Sequence, residues 1–316
     1  MSAGIGGYIL RRVLWTIPVL FVISFAVFYM LRLAPGDPVD TLLGQRFDDE
    51  VAERLKAKYG YDEPIYVQYV KYMKNLVQGD MGVSTRHQDF TVKEVVLPKI
   101  WVSTRLGFMA LLLVFAIGIP VGLWAALARG TYLDPLLIGS WLFIDAVPIF
   151  VLITFAQFVF AVQLGWVSVS WDGVWSPNII LPVLLMSMPG VAGVARLMRA
   201  SVIQVLNEDY VRTARAKGLR QRTVVMSYIA RNAMLPVVTV IGLSLPGIAG
   251  GSLFIELLFG IPGIGNEAFQ AVLAPDYDLI LGLVLFSSFL FVVANLVVDI
   301  AYAFVDPRIR LGETRG

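Results

Sequence analysis

Six apolar runs, separated by polar or charged intervals, set the plan of this 316-residue chain. Five contain no charged residue: Val13–Leu31, Leu106–Ala128, Ile179–Ala195, Ala233–Ile255 and Leu279–Val298. A sixth, Leu136–Leu164, holds Asp145 as its one charge. A helix of about 20 residues crosses a hydrocarbon layer of about 30 Å, so each run is a candidate span. The pattern predicts an all-α membrane protein of six transmembrane helices, which puts both termini on the same side. Arg11 and Arg12 precede the first run as they would in a signal peptide. Its apolar core is longer than the usual 7–15 or so residues of such a peptide, so it reads as an uncleaved signal-anchor.

Between the first two runs, Arg32–Ile100 mixes acidic, basic and apolar positions. Glu50–Tyr59 and Ile65–Val77 have helical character, and Gly60-Tyr-Asp-Glu-Pro64 between them is a stop followed by a fresh start. Ile65, Tyr69, Tyr72 and Leu76 recur at helical spacing, unlike a passive linker. Gly79-Asp-Met-Gly82 reads as a turn. A small subdomain of helices and turns is expected here.

Composition agrees with the pattern, at 58% hydrophobic and 15% charged residues, where soluble domains carry about 25% charged. A net charge of +2 does not point to nucleic acid. With no cysteine and one histidine, His87, thiolate chemistry, disulfides and histidine-rich metal sites are excluded. No Walker A sequence occurs. Gly263-Ile-Gly265-Asn-Glu-Ala268 has the G-x-G-x-x-A form, but it follows a proline and no strand, so a glycine-rich turn is expected. No nucleophile, base and orienting group come together as a catalytic set. Asp145 near the middle of the third run is costly against lipid, by about 2.5–3.5 kcal/mol, so it is expected to face protein or water. It is a candidate either for the path or for a structural hydrogen bond. Pro148, Pro182, Pro189, Pro236 and Pro246, with Gly247-Ile-Ala-Gly-Gly251, suit helices that move against one another.

The distribution of basic residues sets orientation. Arg196–Asn232 carries Arg196, Arg199, Arg212, Arg215, Lys217, Arg220, Arg222 and Arg231, whereas Gly165–Asn178 and Glu256–Asp278 carry no lysine or arginine. The basic segments, with Arg11, Arg12, Arg308, Arg310 and Arg315 at the ends, are therefore expected in the cytoplasm, and residues 33–100 outside.

Within the basic segment lies Asp209-Tyr210-Val211-Arg212-Thr213-Ala214-Arg215-Ala216-Lys217-Gly218-Leu219. Asn207 or Glu208 can begin a short helix, with Asp209 at its positive end, Arg215 and Lys217 at its negative end, and Gly218 as a left-handed cap. Tyr210, Thr213, Ala214 and Lys217 share one face. Its small centre would let a partner approach the backbone, as in helix-in-groove recognition. The plainer alternative is a basic loop that serves topology and anionic lipid. A second helix, Gln221–Asn232, is expected to lead through Ala233-Met-Leu-Pro236 into the fifth span.

Tyr210-Val-Arg-Thr-Ala-Arg-Ala-Lys-Gly-Leu219, followed by Arg231-Asn-Ala-Met-Leu-Pro236, resembles the coupling-helix signature of ABC-importer permeases, in their dipeptide/oligopeptide/nickel subfamily. The general signature reads Glu-Ala-Ala, three residues, Gly, nine residues, Ile-x-Leu-Pro. Arg212-Thr213-Ala214 replaces its opening and Leu235-Pro236 falls five residues late, as in the peptide-type permeases. Arg11-Arg12, Leu33-Ala-Pro-Gly-Asp-Pro38, Gly79-Asp-Met-Gly82, Gly260-Ile-Pro-Gly-Ile-Gly265 and Asp306-Pro-Arg-Ile-Arg310 extend the resemblance over nearly the whole chain. It is most similar to the first, B-type permease subunit.

The resemblance implies a type I ABC-importer permease fold. Its parts would be helix 1 over residues 1–32, the extracytoplasmic subdomain over 33–100, a core over 101–306 with the coupling helix at about 208–219, and a tail over 307–316. It implies a subunit without catalytic residues, metal or cofactor of its own, ATP and Mg²⁺ being handled by two partner ATPases. A homologous second permease and an extracytoplasmic substrate-binding protein complete the implied assembly, in a bacterial or archaeal inner membrane. Tyr210 is then the anchor, Ala214 the point of close approach and Gly218 the hinge or cap. Cargo would be di- or oligopeptides, with nickel, glutathione or another small solute as alternatives. A secondary transporter or a membrane-embedded enzyme are the rivals from other classes. The sequence shows neither the inverted repeat of the first nor the catalytic set of the second.

Overall fold

The computed structural model describes residues 5–33, 50, 53–54, 60, 62–84, 86–87 and 90–305. Among these the chain is helix and turn, with one isolated antiparallel bridge between Val83 and Thr91. The helices are α1 (Ile5–Leu33), α2 (Ile65–Val77), α3 (Val92–Leu127), α4 (Leu133–Asp145), α5 (Ile149–Gln163) and α6 (Ile180–Leu206). They continue with α7 (Asp209–Ala216), α8 (Gln221–Ile248), α9 (Leu253–Leu258), α10 (Ile264–Leu273) and α11 (Tyr277–Val305). By length and composition α1, α3, α6, α8 and α11 can each cross a membrane, and α4 with α5 supplies a sixth crossing only when taken as a bent pair.

Several boundaries depart from the expected ones. The sixth candidate is not one straight span: α4 and α5 meet at 97°, and Asp145 ends α4 at the break. Pro148 causes it, because proline has no N–H to donate and disfavours helical geometry in the residue before it. Helix α3 begins at Val92, well ahead of the charge-free run. Thr91 and Glu94 form a capping box there, with Thr91 Oγ1 accepting from Glu94 N at 3.3 Å and Glu94 Oε2 accepting from Thr91 N at 2.9 Å. The fifth span stops short of Ile255. It tightens into a 3₁₀ turn over Leu245–Gly250 and ends at Gly251, whose φ of 69° suits glycine. The interval after it is not a bare loop but holds α9 and α10. The expected helix Ile65–Val77 and the turn at Gly79–Gly82 are present, the two glycines having φ of 85° and 89°. The helix expected at Glu50–Tyr59, the motif through Pro38 and the tail motif from Asp306 lie largely or wholly outside the described residues.

The chain divides into two compact units. In the unit formed by residues 1–103 and 262–316, α1 and α11 pack along each other, and Arg12 pairs with Asp299. The Tyr69 ring of α2 is buried against Phe21, Phe25 and Phe28 of α1, and its hydroxyl lies 2.7 Å from Ser24 Oγ. A second apolar cluster joins Val92, Val95, Val96 and Ile100 of α3 to Ile264, Ala271, Leu279 and Leu283. Asp276, fully buried, caps α11 by accepting from Leu279 N at 3.0 Å and also receives Ser84 Oγ at 2.6 Å.

In the unit Thr104–Ile261, α6 is the spine on which α3, α4 and α8 rest. Small residues let two backbones meet. A Cβ on Gly122 of α3 would stand 2.4 Å from the Ala195 carbonyl oxygen, and one on Gly118 would stand 2.9 Å from Val194 Cβ. Gly118 and Gly122 thus make a G-x-x-x-G contact, the device by which membrane helices gain close packing without a hydrophobic driving force. A bidentate pair fixes α4 to α6, with Arg199 Nε and Nη2 each 2.6 Å from an Asp134 carboxylate oxygen.

Candidate functional site

Short helix α7 follows α6 directly, started by Glu208 in extended geometry. Asp209 lies in its first turn and Arg215 in its last, both signs favourable to the helix dipole. Its end is a Schellman closure. Gly218 N donates to Arg215 O at 2.9 Å and Leu219 N to Ala214 O at 3.4 Å, while Gly218 holds φ at 70°. A side chain at 218 would meet nothing within 4 Å, so glycine is needed there for the backbone and not for space.

Val211 and Ala214 point inward. They are 0% and 2% exposed and join a cluster with Met198 and Val202 of α6 and Val224 and Ile229 of α8. This corrects the face assigned from spacing. Ala214 is not a point of approach for another protein, because it is already covered by its own chain. The exposed face carries Asp209, Tyr210, Arg212, Thr213, Arg215, Ala216 and Lys217, and Arg220 and Arg222 extend it. The Tyr210 phenol is pushed above its ordinary pKa by partial burial and by the nearby Glu208 charge, against a hydrogen bond from the Asn232 side chain.

No separate helix intervenes between α7 and the fifth span. Gln221–Ile248 is one continuous helix, π-wound over Val224–Ala230, and α7 packs against that wider segment. A displacement of α7 therefore acts on a helix that runs unbroken into the membrane span.

Asp145, the other candidate, is exposed on the chain and lines a cleft of about 230 Å³. Sequence reading missed buried charged groups, among them Asp134 and Asp276 described above and a third. Glu267 of α10 is buried and is reached by Lys99 Nζ at 2.6 Å and His87 Nε2 at 2.8 Å. Burial pushes its carboxyl up, but the bonds from Lys99 and His87 outweigh this and hold it below the ordinary value. Its partners are too distant in sequence for any spacing rule to reveal them.

Helices α3, α4 and α8 resting on α6, with the short basic helix α7 keyed into the same core, fit the permease fold that the sequence resemblance implies. Residues 118–311 match the family described as binding-protein-dependent transport system inner membrane component, and residues 6–92 match its N-terminal region. The oligopeptide transport system permease protein OppB of Salmonella typhimurium is 39% identical over 96% of this chain and 99% of its own. OppB of Haemophilus influenzae is 36% identical with the same coverage, and the glutathione transport system permease protein GsiC of Shigella flexneri is 37% identical over 96% and 98%. Among solved structures, the MetNI methionine ABC transporter in an inward-facing conformation has a chain that aligns with a TM-score of 0.52. That alignment has 17% identity and covers 70% of this chain and 97% of the other, so the likeness is one of fold. The chain belongs to the binding-protein-dependent transport inner-membrane family, as a multi-pass permease subunit of the B type.

Proposed function

We propose that this chain is the permease through which an ATP-driven importer takes up di- and oligopeptides handed over by an extracytoplasmic binding protein. The names of the OppB relatives support peptides as cargo. The GsiC relative supports a second reading, glutathione, which is itself a small peptide. The chain pairs with a homologous second permease and docks two ATPases, which bind ATP and Mg²⁺. Both termini and α7 face the cytoplasm of a bacterial or archaeal cell, and the segment after α1 lies outside. The basic residues of 196–231, against none in 165–178 and 256–278, support this orientation.

This reading is carried by α7: apolar residues locked into the bundle, and a polar, basic face left uncovered. A groove on an ATPase takes that face, with Tyr210 at its edge. Closure of the ATPases on ATP moves α7, and α8 carries the motion into the membrane. The attached spans swing from inward-facing to outward-facing, cargo enters between the two permeases, and hydrolysis resets them. The chain supplies a path and a lever, and the phosphoryl chemistry stays with its partners.

Gly218→Val forces a β-branched residue into φ of 70° and opens the Schellman closure. The complete importer carrying it is expected to insert normally yet lose substrate-stimulated ATP hydrolysis. Full stimulated hydrolysis in that variant would sink the proposal. Cross-linking gives a second check. A cysteine at Thr213 is expected to join a co-purified ATPase, and one at buried Ala214 to fail.

A further inference from the structure

Asp145 sits where two helices break in the membrane. Two measures, one along α6 and one along α4, give its depth. On α6 the charge-free run Ile179–Ala195 is centred near Ser187, and Met188 and Pro189 line the cleft that holds Asp145. On α4, Asp134 is fixed to Arg199 just beyond the end of that run, and Asp145 lies eleven residues further along, about 17 Å at helical rise. Half of a ~30 Å hydrocarbon layer is about 15 Å, so both routes arrive near its middle.

Among the described residues the carboxylate accepts no hydrogen bond and forms no ion pair, although α5 begins only four residues on. It is therefore neither the cap of α5 nor half of a pair among the described residues. Everything else lining the cleft is apolar, including Val147, Ile149 and Leu152. Pro189 adds a second polar feature, because it has no N–H for the Leu185 carbonyl one turn back. A lone carboxylate beside interrupted helices at mid-depth is how membrane transporters hold cations.

We propose that Asp145 is a passage site for cationic groups of the cargo, an ammonium or guanidinium borne by a peptide side chain. The assignment rests on the peptide-importer reading. A passing lysine pairs with the carboxylate for part of its transit, while a glutamate at the same place is repelled. Asp145 thus biases the passage toward basic peptides after the binding protein has released them.

The test is uptake by the complete importer in proteoliposomes, supplied with saturating binding protein and Ala-Lys-Ala, Ala-Ala-Ala or Ala-Glu-Ala. The amino terminus common to all three cancels in the ratio of rates. In the wild type, lysine peptide is expected to outrun glutamate peptide. Asp145→Asn is expected to reduce that ratio about ten-fold, the low end of what a hydrogen bond to a charged group is worth, and Asp145→Glu to keep it. Equal rates in the wild type, an unchanged ratio in Asp145→Asn, or failure of that variant to assemble with the second permease would each overturn the assignment. Wild-type protein that imports none of the three overturns the peptide reading, and this site with it.

Discussion

Glu267 shows how one side chain can tie distant segments together. The carboxyl is buried, and Lys99 and His87 reach it from segments far away in sequence. Its folded-state pKa lies below the ordinary 4.5, so its contribution to stability is fully present above that value and is lost as pH falls through the depressed one. Purified protein is expected to lose thermal stability on acidification below about pH 4.5. Glu267→Gln should flatten that dependence and lower the midpoint at pH 7, at a cost of about 1–3 kcal/mol for an ammonium left without its carboxylate. Thermal melts between pH 3 and 7 or so, read for both proteins, check the sign. An acid-side slope equal in both would assign the loss to other groups. The sequence held no sign of Glu267, because the residue lay inside a motif whose glycines drew attention to the turn.

At the scale of the element, the apolar runs located five crossing helices because lipid demands long stretches without charge. They were less reliable for boundaries. Thr91-Val-Lys-Glu94 spells a capping box and marks the start of α3, yet hydropathy alone begins the helix at Leu106. Pro148 marked the break between α4 and α5 in the same way. Periodicity also misplaced Ala214, since eight residues form too short a helix for spacing to tell the covered side from the free one. The G-x-x-x-G of α3, Gly118 and Gly122, also stands in the sequence but was not among its expected features. Gly122→Leu is expected to force α3 away from the Ala195 carbonyl and cost about 1–3 kcal/mol or more, since the obstruction is backbone. Reduced yield of folded protein and a lower melting midpoint would show it. Unchanged stability would mean the helices lie farther apart than described.

For the whole molecule, the distribution of lysine and arginine predicts an orientation on which intramolecular contacts are silent. The absence of cysteine makes it easy to examine. Lys217→Cys, on the exposed side of the chain, is expected to react with a membrane-impermeant maleimide in inside-out vesicles and to be protected in intact cells. Labelling of intact cells would reverse the topology and end the coupling proposal. The division into a unit of both chain ends and a unit of residues 104–261 was not legible, because it depends on which helices share a core and not on where each begins.

The inward turn of Val211 and Ala214 has a consequence for how the importer is held together. Since Val211 and Ala214 on the greasy side of that short helix are spent within its own chain, an ATPase docking as proposed would have to seize it by Arg212, Arg215, Lys217 and the rim of Tyr210 and Leu219. The ionic share of such an attachment would weaken in concentrated salt, whereas the buried side would not. On that proposal, a strong brine wash is expected to strip the motors from the membrane and leave the latch they had held still seated.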